Sequence, residues 1–354
     1  MSQRNPVSPA CPDCSPVSRR DFLKGTAAGL TAATALGAGL YSLGGSPCIA
    51  AAEASASPAP AAETLVAQFY KTLSDEQKKE ICFPFDHPLR SKVNNNWFIV
   101  KPRIGTFLNK DQQQMVHDIF MDLHAEEYAE KVYKQVHEDA GKPGFSGSAV
   151  AMFGEPGQDF EFVFTGRHVT RRCDGNSVKG EGFGGPIFYG HAAHGFYEKA
   201  NHPDNIYWYQ ALQANEVFKA LDGKQRKLAL LQTPRPEQET KTVALQGADK
   251  DLAGIPMTEL TADQKGLVRK VMADLLAPFR KTDSDKALKM IEDAGFDHLH
   301  LAFFNGKDPE GNSYDIGNDG VWDVWQIEGP NMVWYFRGAP HVHTWVHVRE
   351  PAKA

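Results

Sequence analysis

Between His298 and Val348 the chain places four segments in a row, HLHLAFF, VWDVWQIE, NMVWYFRG and HVHTWVHV, with Gly, Pro and Asn between them. Each is rich in β-branched and aromatic residues that suit a pleated, half-buried surface, and the intervening residues are turn formers. The pattern predicts an antiparallel meander. Upstream, Ser148–Phe153 and Phe160–Thr170 flank GEPGQD and predict a hairpin with Phe160, Phe162 and Phe164 on one face.

A second pattern marks helices. LSDEQ at Leu73, LNKDQ at Leu108, LDGKQ at Leu221 and LTADQ at Leu260 each set a Ser, Asn, Asp or Thr three residues before a Gln. That is a capping box, so the repetition is read as helix punctuation and not as a binding repeat. Apolar residues recur at helical spacing in Met115, Ile119 and Leu123, in Tyr128, Val132 and Val136, and from Leu267 to Phe279. Glu63–Leu73 and Tyr207–Leu221 read as helices by the same test. Helices, a hairpin, helices again and then a sheet predict an α+β fold, one domain with antiparallel sheet or sheets flanked by amphipathic helices.

The first residues follow a different logic. SRRDFLKG, the Gly/Ala-rich run TAAGLTAATALGAGLYSLGG and the small residues IAAAEASA form a charged, an apolar and a cleavable region. Arg19 and Arg20 with Phe22, Leu23 and Lys24 resemble a twin-arginine export signal. The division expected is a signal peptide over 1–51, an Ala/Pro/Ser linker over 52–63 and a globular domain over 64–354. The signal implies the twin-arginine machinery as a partner, a periplasmic or secreted location and no permanent membrane anchor. It also implies export in a folded state, often with a metal or cofactor already inserted. In an oxidising compartment Cys82 and Cys173 could pair. With 42% hydrophobic residues and a net charge of -6 spread without long runs, the chain has a real core and no nucleic-acid partner is expected; small molecules are.

The candidate chemistry lies in HVHTWVH. On an extended strand His341, His343, Trp345 and His347 share one face, with His341 and His343 about 7 Å apart and His347 about 13 Å beyond. The first two can converge on one ion, and His347 is a poor third ligand. The best third is His168 in FTGRHVTRR, beside Gly166, where the missing side chain admits another backbone or a ligand. His191 and His194 in GPIFYGHAAHG form a second candidate group, sharing a face only if that segment is helical; Gly190 and Gly195 make it loop-like. Arg167, Arg171 and Arg172 offer guanidinium groups to a carboxylate or phosphate, or form a charged edge; Arg167, Arg172 and Trp345 are the substrate-binding candidates. Imidazoles suit copper, iron and zinc alike. No GxSxG, HExxH, phosphate-binding Gly loop or dinucleotide fingerprint is present.

Taken in order, LSDEQ with FPFD and NNNW, IGTFLNKDQ, FGEPGQDFEFVFTGRHVT, FGGPIFYG, LDGKQ, and VWQIEGP with HVH resemble the domain-of-unknown-function family numbered 3500, from about Leu73 to Val348. The resemblance implies paired histidines where this chain has Arg167 and His168, and a terminal HxH at His341 and His343. It groups His168 with His341 and His343 and supplies no reaction. The reading that follows is an exported histidine-ligated metalloprotein with an oxidative or hydrolytic role. The alternative is a non-catalytic periplasmic protein that binds a small molecule or metal.

Overall fold

A computed structural model of the chain describes residues 61–192, 199, 201–247, 252–307, 311, 313–318, 320 and 323–351. The first half runs α1 (Ala61–Thr72), α2 (Asp75–Ile81), β1 (Cys82–Phe83), α3 (Ile104–Phe107), α4 (Lys110–Asp122), α5 (Glu126–Asp139), β2 (Ala149–Gly154), β3 (Phe160–Gly166), β4 (Val169–Cys173) and β5 (Ile187–His191). The second half follows the same order except that a short strand, β7, stands where the first half has α3: α6 (Trp208–Ala220), α7 (Gly223–Ala229), β6 (Leu230–Leu231), β7 (Ile255–Pro256), α8 (Ala262–Leu276), α9 (Lys281–Ala294), β8 (His300–Phe304), β9 (Val324–Gly329), β10 (Met332–Arg337) and β11 (Val342–Val348).

The strands among the described residues join one sheet in the order β1-β2-β3-β4-β5-β11-β10-β9-β8-β6, with β7 paired to β8. The order reads the same from either edge. β5 and β11, the last strands of the two halves, pair antiparallel at the centre, and among the described residues the parallel strand pairs are β1 with β2 and β6 with β8 at the two edges. The turns after α4 and α8 meet symmetrically as well: Ala125 N donates to Pro278 O (3.1 Å) and Arg280 N to Leu123 O (3.2 Å).

The repeated Leu-x-x-x-Gln pattern explains part of this symmetry. Ser74, Asn109, Asp222 and Thr261 are N-caps of complete capping boxes with Gln77, Gln112, Gln225 and Gln264. The glutamine amides then do more than close the box. Gln77 and Gln112 donate to each other's Oε1 (2.9 and 3.0 Å) and to Phe107 O and Thr72 O. Gln225 and Gln264 do the same (2.8 and 2.7 Å), with Glu259 O and Ala220 O as the second acceptors. The motif read as local punctuation is therefore also a clasp between two helix starts in each half, satisfying buried amides that would otherwise cost free energy.

The helices pack on one face of the sheet, where Phe160, Phe162 and Phe164 meet α1 and α4 and where Val342, Val346 and Trp334 meet α6 and α8. The other face carries Phe188, Val333, Tyr335 and Trp345, covered by loops that contribute Val93 and Val243. Trp345, a substrate-binding candidate, is wholly buried in this layer, its ring 4.8 Å from that of Phe188.

Three expectations change. Phe160–Thr170 is not one strand: the chain turns at Arg167–His168, with Gly166 opposite Val169. GPIFYGH is neither helix nor loop but the central strand β5, because its apolar residues complete the ladder between β4 and β11. Cys82 and Cys173 are free thiols. They fall in one row across four strands (Cys82, Met152, Phe162, Cys173), so three strand spacings hold them about 14 Å apart, well beyond disulfide reach. No helix among the described residues is long and apolar enough to cross a membrane.

Candidate metal centre

Two chain segments meet at one end of the central strands. His343 lies on β11, His341 just precedes it, and His168 occupies the two-residue turn between β3 and β4. Each is at most 2% exposed. One ring nitrogen from each lies within 4.8 Å of the others, and His341 Nε2 and His343 Nε2 are 2.9 Å apart. The group could hold a metal: nitrogens bound at 2.0–2.1 Å in a tetrahedral shell stand about 3.3 Å from one another, so only small shifts are needed.

The local backbone is arranged around this convergence. His168 has φ of 56°, in the left-handed region that costs a non-glycine residue about 1–2 kcal/mol. Its amide donates to Asn95 O (2.8 Å), and its carbonyl accepts from Gly190 N (3.1 Å). Gly190 stands opposite His343, and a Cβ there would lie 2.2 Å from Val342 O and 3.4 Å from the His168 Cβ. The glycine that lets β11 close on β5 beside the His168 turn is thus Gly190. A Cβ at Gly166, the glycine singled out from sequence, would instead meet the Ser148 side chain at 2.8 Å.

Two carboxylates orient the rings. Asp139, the last residue of α5, accepts from His168 Nδ1 at 2.6 Å and is held by Ala192 N (3.0 Å) and Gln135 Nε2 (2.9 Å). Glu237, in the loop after β6, lies 2.6 Å from His343 Nδ1. Arg337 Nη2 is 2.7 Å from the same nitrogen, but its Nε also pairs with Glu237 Oε1 at 3.0 Å. An anionic acceptor this close favours the Nδ1–H tautomer, which leaves Nε2 of both His168 and His343 as lone pairs facing the centre.

The electrostatics keep the rings neutral. Burial, reinforced by the neighbouring histidines and arginines, holds His341 and His343 well below the usual imidazole value. Burial also lowers His168, with Asp139 pulling partly the other way. For Asp139 burial raises the carboxyl, but His168, His191 and Arg167 together outweigh it and hold it below the ordinary carboxylate value. Neutral imidazole is the form that binds a metal.

The other candidates are placed elsewhere. His191 is on β5 but on the helix-facing side, opposite Val342, and does not enter the three-histidine group. His194 lies outside the described residues. His347 meets Val243 O (3.0 Å) and Glu181 (2.9 Å), away from the centre as strand geometry requires. Arg172 spends its guanidinium on Glu161 (2.7 Å), Pro186 O, Lys92 O and Arg90 O, a set of structural bonds. Arg167 is part-exposed at the turn, beside His168.

Sequence reasoning missed both carboxylates. Asp139 had a signal, because Val132, Gln135, Val136 and Asp139 fall on one helical stripe and all are buried, so two polar residues occupy core positions. Glu237 sits in TPRPEQETK, where no periodicity points to it.

The fold and site define a single α+β domain with a buried histidine group able to take a metal. The chain belongs to the family described as a protein of unknown function, DUF3500, whose model matches residues 55–353. Residues 16–37 match the signal sequence of the twin-arginine translocation pathway, which marks the protein for export across the membrane. No curated protein and no solved structure matches the chain.

Proposed function

We propose that the protein is an exported metalloenzyme whose His168, His341 and His343 hold one transition-metal ion, with a further ligand position for water or substrate. The observation that carries this reading is the convergence of three buried imidazoles, two of them oriented by carboxylates on their outer nitrogens. A lone HxH on a strand has no need of Asp139, Glu237 or a left-handed His168. Three neutral ligands leave the ion's full charge to act on the remaining ligand, the condition under which zinc lowers the pKa of bound water to about 7. Copper or iron in the same shell would support oxidation. The export route, used by proteins that fold before crossing, fits an ion inserted inside the cell.

The test is metal analysis of protein purified from the periplasm. We expect near-stoichiometric copper, iron or zinc in the wild type and none in the His341→Ala/His343→Ala double variant, with the circular dichroism of both the same. Asp139→Asn should keep the fold and weaken metal affinity about 10–100-fold, the usual cost of losing an orienting carboxylate. A folded wild type that takes up none of these ions on purification or reconstitution sinks the reading.

A further inference from the structure

The surroundings of the three histidines are not uniform. On the sheet side they rest on Phe188, whose ring lies 5.3 Å from that of His343 and 6.4 Å from that of His168, with Trp345 behind it. The groups around them that reach solvent are different: Arg167 is part-exposed, and the side chains of Arg337 and Glu237 are 18% and 14% exposed. The groups that reach solvent here are therefore two guanidinium groups and one carboxylate, the carboxylate already paired with Arg337. Arg337 Nη2 lies 2.7 Å from His343 Nδ1, and Arg167 is the chain neighbour of His168 in a two-residue turn.

The repeat within the fold provides a comparison. The turn between β9 and β10 stands where the turn between β3 and β4 stands in the first half, and both are two-residue turns, closed by Gly329 opposite Met332 and by Gly166 opposite Val169. One reads Gly329–Pro330–Asn331, ordinary turn formers. The other reads Gly166–Arg167–His168, with the histidine in the left-handed region. Turn formation alone accounts for the first sequence and not for the second. Arg167 and His168 are the two residues by which the site-bearing turn departs from its structural counterpart.

Charge points the same way. Among the described residues next to the rings, Asp139 and Glu237 offset Arg167 and Arg337, and the three imidazoles are neutral. A divalent ion would then leave the centre about two charges positive in a water-poor setting, which favours an anionic further ligand.

We propose that the ligand completing this centre is a small oxyanion, a carboxylate or an inorganic oxyanion, received by Arg167 and Arg337 beside the metal. The proposal rests on the metal reading above. Guanidinium groups suit it because they bind planar oxyanions in bidentate fashion.

The experiment uses the full mature protein loaded with cobalt(II), with acetate and inorganic phosphate as separate probes read by the visible spectrum of the ion, and imidazole as a neutral control ligand. Saturable spectral shifts are expected with at least one anion, and the stronger of the two identifies the source chemistry. In Arg167→Gln the anion Kd should rise tenfold or more while cobalt stoichiometry and imidazole binding stay unchanged; Arg167→Lys should recover part of the loss. Anion binding equal to wild type in Arg167→Gln, or an equal loss for imidazole, overturns the proposal while leaving the metal reading intact. A wild type that binds no ion stoichiometrically overturns both.

Discussion

Metal-free protein should lose about 3 kcal/mol of stability between pH 6.5 and pH 5.5. His124, His341 and His343 are each held well below the ordinary imidazole value, first by burial and then by neighbouring positive or ionisable groups, Arg171 beside His124 and Arg337 near His341 and His343. Their folded-state values are depressed, so in this window the unfolded chain takes up protons that the folded one does not. Stability is then fully present above the unfolded imidazole value and falls as pH drops below it, by about 1 kcal/mol for each group over the first pH unit and towards about 1.4 kcal/mol per unit beyond. Three groups give the figure stated, and His168, lowered to a smaller degree because Asp139 pulls against burial, adds to it. Urea midpoints of chelator-treated protein at pH 7.5, 6.5 and 5.5 test this. A flat profile would mean that these rings are charged or solvated in the native state, which contradicts their geometry. His124→Gln should lower the slope by roughly one proton, because His124 Nε2 accepts from Arg171 at 2.9 Å while its Nδ1 faces Phe120 O at 2.7 Å, a pairing only the neutral ring makes.

The second large effect is expected at Glu161, far from any ligand. Its side chain is fully buried and takes Arg172 at 2.7 Å and Arg90 at 3.2 Å. Burial raises its carboxyl, and the two arginines pull it back. Glu161→Ala should cost about 3–5 kcal/mol, because it strands the buried Arg172 guanidinium without its counter-charge. Urea unfolding measures the loss; a cost under about 1 kcal/mol would show that carbonyls alone satisfy Arg172. The damage should also reach the candidate centre. Arg172 ties Arg90 O and Lys92 O to the sheet, and a few residues on, Asn95 O receives the His168 amide. Metal affinity of Glu161→Ala should fall as well, measured in the same samples at temperatures where the variant is folded.

These two predictions depend on residues whose roles were unequally visible beforehand. The four capped helix starts were legible because a capping box is a contact between residues three apart. Their pairing into two clasps was not, because Gln77 and Gln112, or Gln225 and Gln264, lie far apart in the chain and nothing in either segment names its partner. Helix α9 escaped notice although its helical stripe includes Ala287, Met290 and Ile291. β5 was hidden by Gly190 and the nearby Gly195, which sequence reasoning takes as loop signals; in the folded protein Gly190 is needed because the β11 backbone at Val342 O comes too close for a side chain.

The candidate centre shows the same division. That His341 and His343 share a face, and that His347 stands apart from them, follows from the two-residue period of a strand, which depends on nothing beyond the segment itself. His168 was named as the third ligand from its place beside Gly166 and was grouped with the pair by the family resemblance, and geometry now puts the three rings together. Asp139, Glu237 and Arg337 came only from the tertiary structure. Arg172 moved from candidate ligand contact to structural ion pair for one reason: its face of β4 looks onto Glu161, and strand register, set by long-range pairing, decides that.

By itself the sequence determined export, the helix starts, the alternating faces of the terminal meander and the α+β class, all of them local or compositional properties. Tertiary structure alone decided that the two halves repeat one order about a central β5–β11 pair, that the cysteines stay apart, and that a helix end and a loop each bring a carboxylate to the histidines. Those features are contacts between distant segments, fixed when the whole core closes, and no single segment encodes them.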